Sequence, residues 1–314
     1  MLVRFVAILI AGLTLLFAVP ARAEDGRLVW SDEFDGQSLD LSKWDFDVDC
    51  WGGGNGERQC YTASSRNAQI VDGKLVITAL RQHATGPALP KDQRRLASDP
   101  NAEISRDYTS ARLTTRGKAA WRFGRIEVRA RLPQGQGLWP AIWMLPEKES
   151  YGPWASSGEI DILEAVNLGV PCASCAGGRE DTILGTLHFG KPWPSNVHSG
   201  TEIHFPEALD GFHTYAIVWD ADHIVWQVDG RPYAERKSSQ WWSSGSTVMG
   251  APFDRPFYLI LNLAVGGGLA ESRGLRGVSA KDFPKRFEID WIRVWQKDSK
   301  SINSPSEPAT TGSN

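Results

Sequence analysis

Arg125-Ile-Glu-Val-Arg-Ala-Arg-Leu132 alternates charged and apolar residues without a fault. Only a half-buried β-strand explains that period of two, because successive side chains point to opposite faces. Working outward, strand-like runs recur at residues 75–80, 141–145, 159–166, 183–189, 214–219, 224–228, 257–265 and 287–295. Turn signals lie between them at Asp35-Gly36, Asp72-Gly73 and Asp229-Gly230, the last flanked tightly by strand residues. Helical periodicity is absent over any long stretch; residues 39–43 offer at most one turn. Many short strands joined by Gly/Pro turns predict an all-β fold, either a sandwich of two antiparallel sheets or a closed barrel. No internal repeat is visible.

The chain has 314 residues, 14 of them Trp, with a formal charge of −3. The aromatic excess belongs to an ordered globular chain, and the missing basic excess argues against nucleic acid as a partner. Residues 1–23 carry Arg4, then an apolar run from Phe5 to Val19, then Ala21-Arg22-Ala23. That is the form of a secretory signal cleaved before Glu24, and the run is shorter than the roughly 20 residues a membrane anchor needs. The expectation is a secreted protein, periplasmic or extracellular, with no membrane contact once the signal is removed. A single monomeric domain over residues 24–296 is expected, followed by a disordered polar tail at 297–314 rich in Ser, Pro, Thr and Asn. In an oxidising compartment Cys50 with Cys60 and Cys172 with Cys175 are natural local disulfides, although other pairings remain open.

Chemistry concentrates in Gly158-Glu159-Ile-Asp161-Ile-Leu-Glu164. On a regular strand Glu159 and Asp161 share a face, whereas Glu164 would point into the core. A buried, unpaired Glu is costly, so the alternation is expected to fail through a β-bulge near Ile162 and Leu163 that returns Glu164 to the acidic face. Carboxylates crowded in this way push one another's pKa values apart, leaving one as an acid and another as an ionised nucleophile. Glycoside hydrolysis needs that equipment. The competing reading is a solvated or calcium-binding acidic edge strand. Trp139 and Trp143, four residues apart on the preceding strand, and Trp154, just before the acidic one, weigh against it, because indole faces stack on pyranose rings. Any one of these Trp residues alone could equally fill a core.

With these residues in view, the sequence resembles glycoside hydrolase family 16, in its bulged, laminarinase-like branch. The likeness runs through Leu28-Val-Trp-Ser-Asp-Glu-Phe-Asp-Gly36, Gly137-Leu-Trp-Pro-Ala-Ile-Trp-Met-Leu145, the acidic strand, Gly185-Thr-Leu-His188, the 257–267 segment and Ile289-Asp-Trp-Ile-Arg-Val-Trp295. It implies a β-jelly-roll sandwich with a substrate cleft on its concave face, a β-glucan polysaccharide as partner, and no cofactor for catalysis. Glu159 would be the nucleophile, Glu164 the acid/base, and Asp161 the group that holds and tunes Glu159. Asn55 and Glu57, in a loop over the cleft, would bind sugar hydroxyls, and His188 would sit beside the carboxylates. Cys60 departs from the aromatic residue more usual at its position. Glu33, Gly73 and Asp290 match positions that hold a structural Ca2+ on the convex side of relatives. The six-residue acidic span implies an endo-β-1,3-glucanase rather than an unbulged lichenase. Agarases, carrageenases and transglycosylases share the bulge, and non-catalytic glucan-recognition proteins share the fold but have lost catalytic carboxylates. Of the other tryptophans, Trp51 is expected as a distal contact, and Trp219, Trp226, Trp291 and Trp295 are expected in the core.

Overall fold

The structure is a computed structural model that describes residues 26–272, 277–281 and 283–297. The expected signal segment, and the expected tail beyond Lys297, lie outside the described residues.

The alternating segment that opened the sequence forms the strand Gly124–Arg131, with Ile126, Val128 and Ala130 fully buried. Glu127, on its opposite face, is covered as well and is ion-paired with Arg125. This strand lies in an antiparallel back sheet between His213–Trp219 and Lys285–Gln296. His223–Val228 and Arg231–Lys237 extend the sheet on one side, and Lys74–Ala79 and Ala68–Val71 on the other. Arg27–Asp32 pairs with the far half of Lys285–Gln296. A second antiparallel sheet runs in the order Val197–His204, Thr182–Phe189, Glu159–Glu164, Leu138–Pro146, Phe257–Val265, Arg112–Thr114 and Asp45–Asp47. Apolar faces of the two sheets meet in one core, to which this site sheet gives Ile142, Ile160, Leu187 and Leu261, and the back sheet Ile77, Ile217 and Val294. The sandwich is therefore the correct choice over the barrel.

Turn chemistry explains two hairpins. Asp229 and Gly230 (φ 48° and 73°) join their strands as a two-residue turn, and Asp72 and Gly73 (φ 51° and 69°) do the same. Positive φ at both central positions is the geometry that matches the twist of paired strands, and Asp-Gly tolerates it. Residues 41–43 form a turn rather than a helix.

One core assignment needs correction. Trp291 and Trp295 face outward and are only half-buried, with the Arg293 guanidinium 4.2 Å from the Trp291 ring. The register against Gly124–Arg131 slips at Asp290, since Arg129 opposes Trp291 and Ala130 opposes Ile289. That extra residue moves the inward positions from Phe287 and Ile289 to Ile292 and Val294, and the tryptophans fall on the other face.

Candidate active site

The acidic strand Glu159–Glu164 runs between Leu138–Pro146 and Thr182–Phe189 near the middle of the site sheet. Asp161 opposes Thr186 and Glu164 opposes Leu184, so three steps on the acidic strand meet two on its neighbour. On the other side Trp143 opposes Asp161 and Ile142 opposes Leu163, again one residue in excess. The bulge thus lies where the cost of burying Glu164 required it. Ile162 and Leu163 are both buried as a result. Each stabilises the fold by roughly 1.5–3 kcal/mol. Glu159 and Glu164 remain partly open at the two ends of a strand whose intervening residues are all buried.

Each end carboxylate accepts a hydrogen bond from an indole. Trp154 Nε1 donates to Glu159 Oε2 at 2.8 Å, and Trp139 Nε1 donates to Glu164 Oε1 at 2.9 Å. His188 opposes Glu159 on the next strand, with Nε2 3.3 Å from Asp161 Oδ2 and 3.7 Å from Glu159 Oε1. Burial pushes the Glu159 carboxyl up to about 8, reinforced by the Asp161 charge and opposed by His188 and the Trp154 bond. Burial alone pushes Asp161 up to about 8 as well. Two adjacent carboxyls in this state titrate as a coupled pair, each keeping its proton to higher pH than a free carboxyl. Asp161 is the more enclosed, its side chain 5% exposed against 14% for Glu159. Its Oδ2 also receives no hydrogen bond among the described residues, whereas Glu159 holds the Trp154 donor.

Residues 55–293 match glycosyl hydrolases family 16. The chain belongs to this family. It is 40% identical over 282 residues to glucan endo-1,3-beta-glucosidase A1 of Niallia circulans, covering 86% of this chain and 38% of that protein. It is likewise 40% identical over 281 residues to a beta-glucanase of Rhodothermus marinus, covering 88% of this chain and 87% of that one. Among solved structures, the laminarinase of Rhodothermus marinus superposes with a TM-score of 0.69 at 40% identity, over 86% of this chain and 96% of that chain. The hydrolase thus has the jelly-roll sandwich of its structural neighbours, and the chain spans well under half of the Niallia circulans protein.

Asn55 and Glu57, the two sugar contacts expected in the loop, differ in exposure. Glu57 is 5% exposed and accepts hydrogen bonds from Gln59 Nε2 at 2.7 Å, Tyr61 Oη at 3.1 Å and Asn55 Nδ2 at 3.3 Å. A carboxylate so enclosed and supplied is an anchor rather than a ligand for hydroxyls. From it a chain runs to the cleft: Asn262 Nδ2 donates to Tyr61 Oη at 3.1 Å, and Trp143 Nε1 donates to Asn262 Oδ1 at 2.7 Å. Burial and the nearby Glu57 carboxylate push the Tyr61 phenol well above its ordinary range, so it stays a donor. Sequence reasoning missed Gln59 and Tyr61, two and four residues beyond Glu57, and Asn262, which meets Tyr61 from a distant segment. Asn55 remains exposed, its carbonyl accepting from the Gly268 amide at 2.8 Å beside Trp139. Trp139 and Trp154 are half-buried and donate to the carboxylates, and the Trp154 ring lies 5.7 Å from that of His188.

Cys50 is bonded to Cys60 and Cys172 to Cys175, as the local pairing expected. The first bridge closes the loop that carries Asn55 and Glu57. For calcium, strand register does gather Glu33, Gly73 and Asp290 at one corner of the back sheet, since Asp32 opposes Ile292 and Leu75 opposes Ile289. Their carboxylates, however, serve arginines. Glu33 accepts from Arg293 Nε and Nη2 at 3.0 and 2.8 Å, and Asp290 from Arg129 Nε at 2.9 Å. As arranged, the trio does not fit a cation, which would need those oxygens turned to a common centre.

Proposed function

We propose that this hydrolase is a secreted, retaining endo-β-1,3-glucanase that cleaves laminarin-like β-glucans. The observation that carries the reading is the bulge at Ile162–Leu163, which returns Glu164 to the face that holds Glu159 and Asp161. In the first step Glu164 protonates the departing glycosidic oxygen while the ionised Glu159 attacks the anomeric carbon and forms a glycosyl ester. Asp161, on the same strand between the two glutamates and 3.3 Å from His188 Nε2, holds and tunes Glu159. In the second step Glu164 takes a proton from water, the water attacks the anomeric carbon on the face the leaving group vacated, and Glu159 departs as a carboxylate. Two inversions give retention. Trp139 and Trp143 on one strand and Trp154 beyond it offer ring faces for successive sugars.

The names borne by the Niallia circulans and Rhodothermus marinus relatives support the β-1,3-glucan substrate. The signal-like first 23 residues and two disulfides support export. A binding-only role is disfavoured, since all three carboxylates are present and both end groups are held by donors. The test is reducing-end release from laminarin, lichenan, agarose and carrageenan in parallel, with laminarin expected to give the fastest release. Silence on all four with retained laminarin binding would overturn the enzymatic reading.

A further inference from the structure

The bulge has a support on the far side of the sandwich. Trp226 belongs to the back-sheet strand His223–Val228, is 1% exposed, and reaches across the core so that its Nε1 donates to the backbone carbonyl of Asp161 at 2.8 Å. That carbonyl leads into Ile162, where the register breaks. A bulge leaves backbone groups of the ladder without their regular partner, and an unpaired buried carbonyl destabilises the segment that contains it.

The neighbouring strand is shaped for the same contact. Gly185 lies between Thr186, which opposes Asp161, and Leu184, which opposes Glu164, so it is the residue facing the extra one. A Cβ at position 185 would stand 2.4 Å from Trp226 Cδ1 and 2.6 Å from Nε1. No residue larger than Gly leaves room for the indole where it now lies.

We infer that Trp226, admitted by Gly185, is a positioning residue for catalysis: its indole N–H holds the bulged backbone at Asp161 and so fixes Glu159, Asp161 and Glu164 relative to one another. It acts through the strand and touches no substrate. Trp219, in the adjacent strand of the same sheet, is buried to the same degree but donates its N–H to the Phe253 carbonyl at 3.0 Å, not to the acidic strand. The pair therefore offers a matched comparison. A nucleophile and an acid displaced by a fraction of an ångström lose turnover far more than affinity.

The inference rests on the glucanase reading, and its test includes a measurement that does not. Trp226→Phe is expected to lower kcat on laminarin about tenfold with KM changed less than about twofold, and to displace the pH–rate profile. Trp219→Phe is expected to lower the melting temperature comparably with kcat and profile unchanged. Independently of any substrate, 13C-carboxyl titration of Glu159 should move in Trp226→Phe and stay in Trp219→Phe. Should the Phe variant fail to fold, 3-benzothienylalanine at position 226 keeps the bicyclic shape, removes only the N–H, and should reproduce the loss. An unchanged Glu159 titration in the 226 variants, or equal effects at 219 and 226, would overturn the inference. Wild-type inactivity on every polysaccharide would instead count against the proposed function, and the titration would still decide the role of Trp226.

Discussion

Asp161→Asn should make the protein more stable as the pH rises while removing most of its activity. In the native fold Asp161 is 3% exposed and pushed up from 3.8 to about 8 by burial. In the unfolded chain it titrates near its ordinary value. Between those values the native state binds a proton that the unfolded state has released, so stability falls with pH: it is complete below about pH 4 and lost progressively up to about pH 8. At ~1.4 kcal/mol per unit over roughly four units, the loss is about 5 kcal/mol. The amide of Asn is shaped like the protonated carboxyl and does not titrate. The two proteins should therefore be about equally stable near pH 4, and the variant should gain on the wild type to a difference of about 5 kcal/mol by pH 8–9, or about 10 °C in melting temperature for a chain of this size. Calorimetry or circular-dichroism melts at half-unit intervals from pH 4 to 9 would measure it. A melting-temperature difference independent of pH would refute the burial-raised Asp161 carboxyl.

Further outcomes follow from the same geometry. Glu159→Gln should abolish hydrolysis and retain laminari-oligosaccharide binding within a few-fold by calorimetry, because the Trp rings and the Trp154 donor remain; substantial turnover would remove Glu159 as nucleophile. Glu164→Ala with azide on an activated β-glucoside should recover turnover and give a β-glycosyl azide by NMR, whereas an α product would contradict double displacement. Tyr61→Phe takes one donor from the buried Glu57 and one acceptor from Asn262. A cost of about 2–3 kcal/mol is expected from denaturant unfolding, together with a raised KM through the loosened Trp143. Unchanged stability would mean the chain from Glu57 to Trp143 carries no strain-free order worth keeping.

Legibility from sequence followed how local each cause is. The long apolar or alternating segments became the central strands, including Phe257–Val265 with its ends as expected. The polar edge strands Val197–His204 and Arg231–Lys237 were not foreseen. An edge strand pairs on one side and covers little core, so its composition carries a weak period. The bulge was legible because a single misplaced charge, Glu164, made regular alternation expensive. The slip at Asp290 was not, since Trp on either face raises no such objection. Glu57 was assigned to sugar because its loop resembles one that lies over the cleft; its burial depends on Gln59 and Tyr61, two and four residues on, folding back over it.

The tryptophans answer a chemical requirement as much as a packing one. Four indole N–H groups converge on the acidic strand and its surroundings: Trp154 on Glu159, Trp139 on Glu164, Trp226 on the Asp161 carbonyl, and Trp143 on Asn262. An arginine or lysine in the place of Trp139 would also hold Glu164, but its charge would favour the ionised carboxylate over the acid that the proposed mechanism needs there. A histidine or hydroxyl could itself accept or supply a proton and divide the acid–base task. Indole donates one hydrogen bond, carries no charge and does not titrate in water. It fixes a carboxylate in place and opposes the effect of burial without bringing a full charge, as the Trp154 bond does at Glu159. Both end carboxylates are thus oriented by one side-chain type, and in the proposed mechanism proton transfer is left to Glu164.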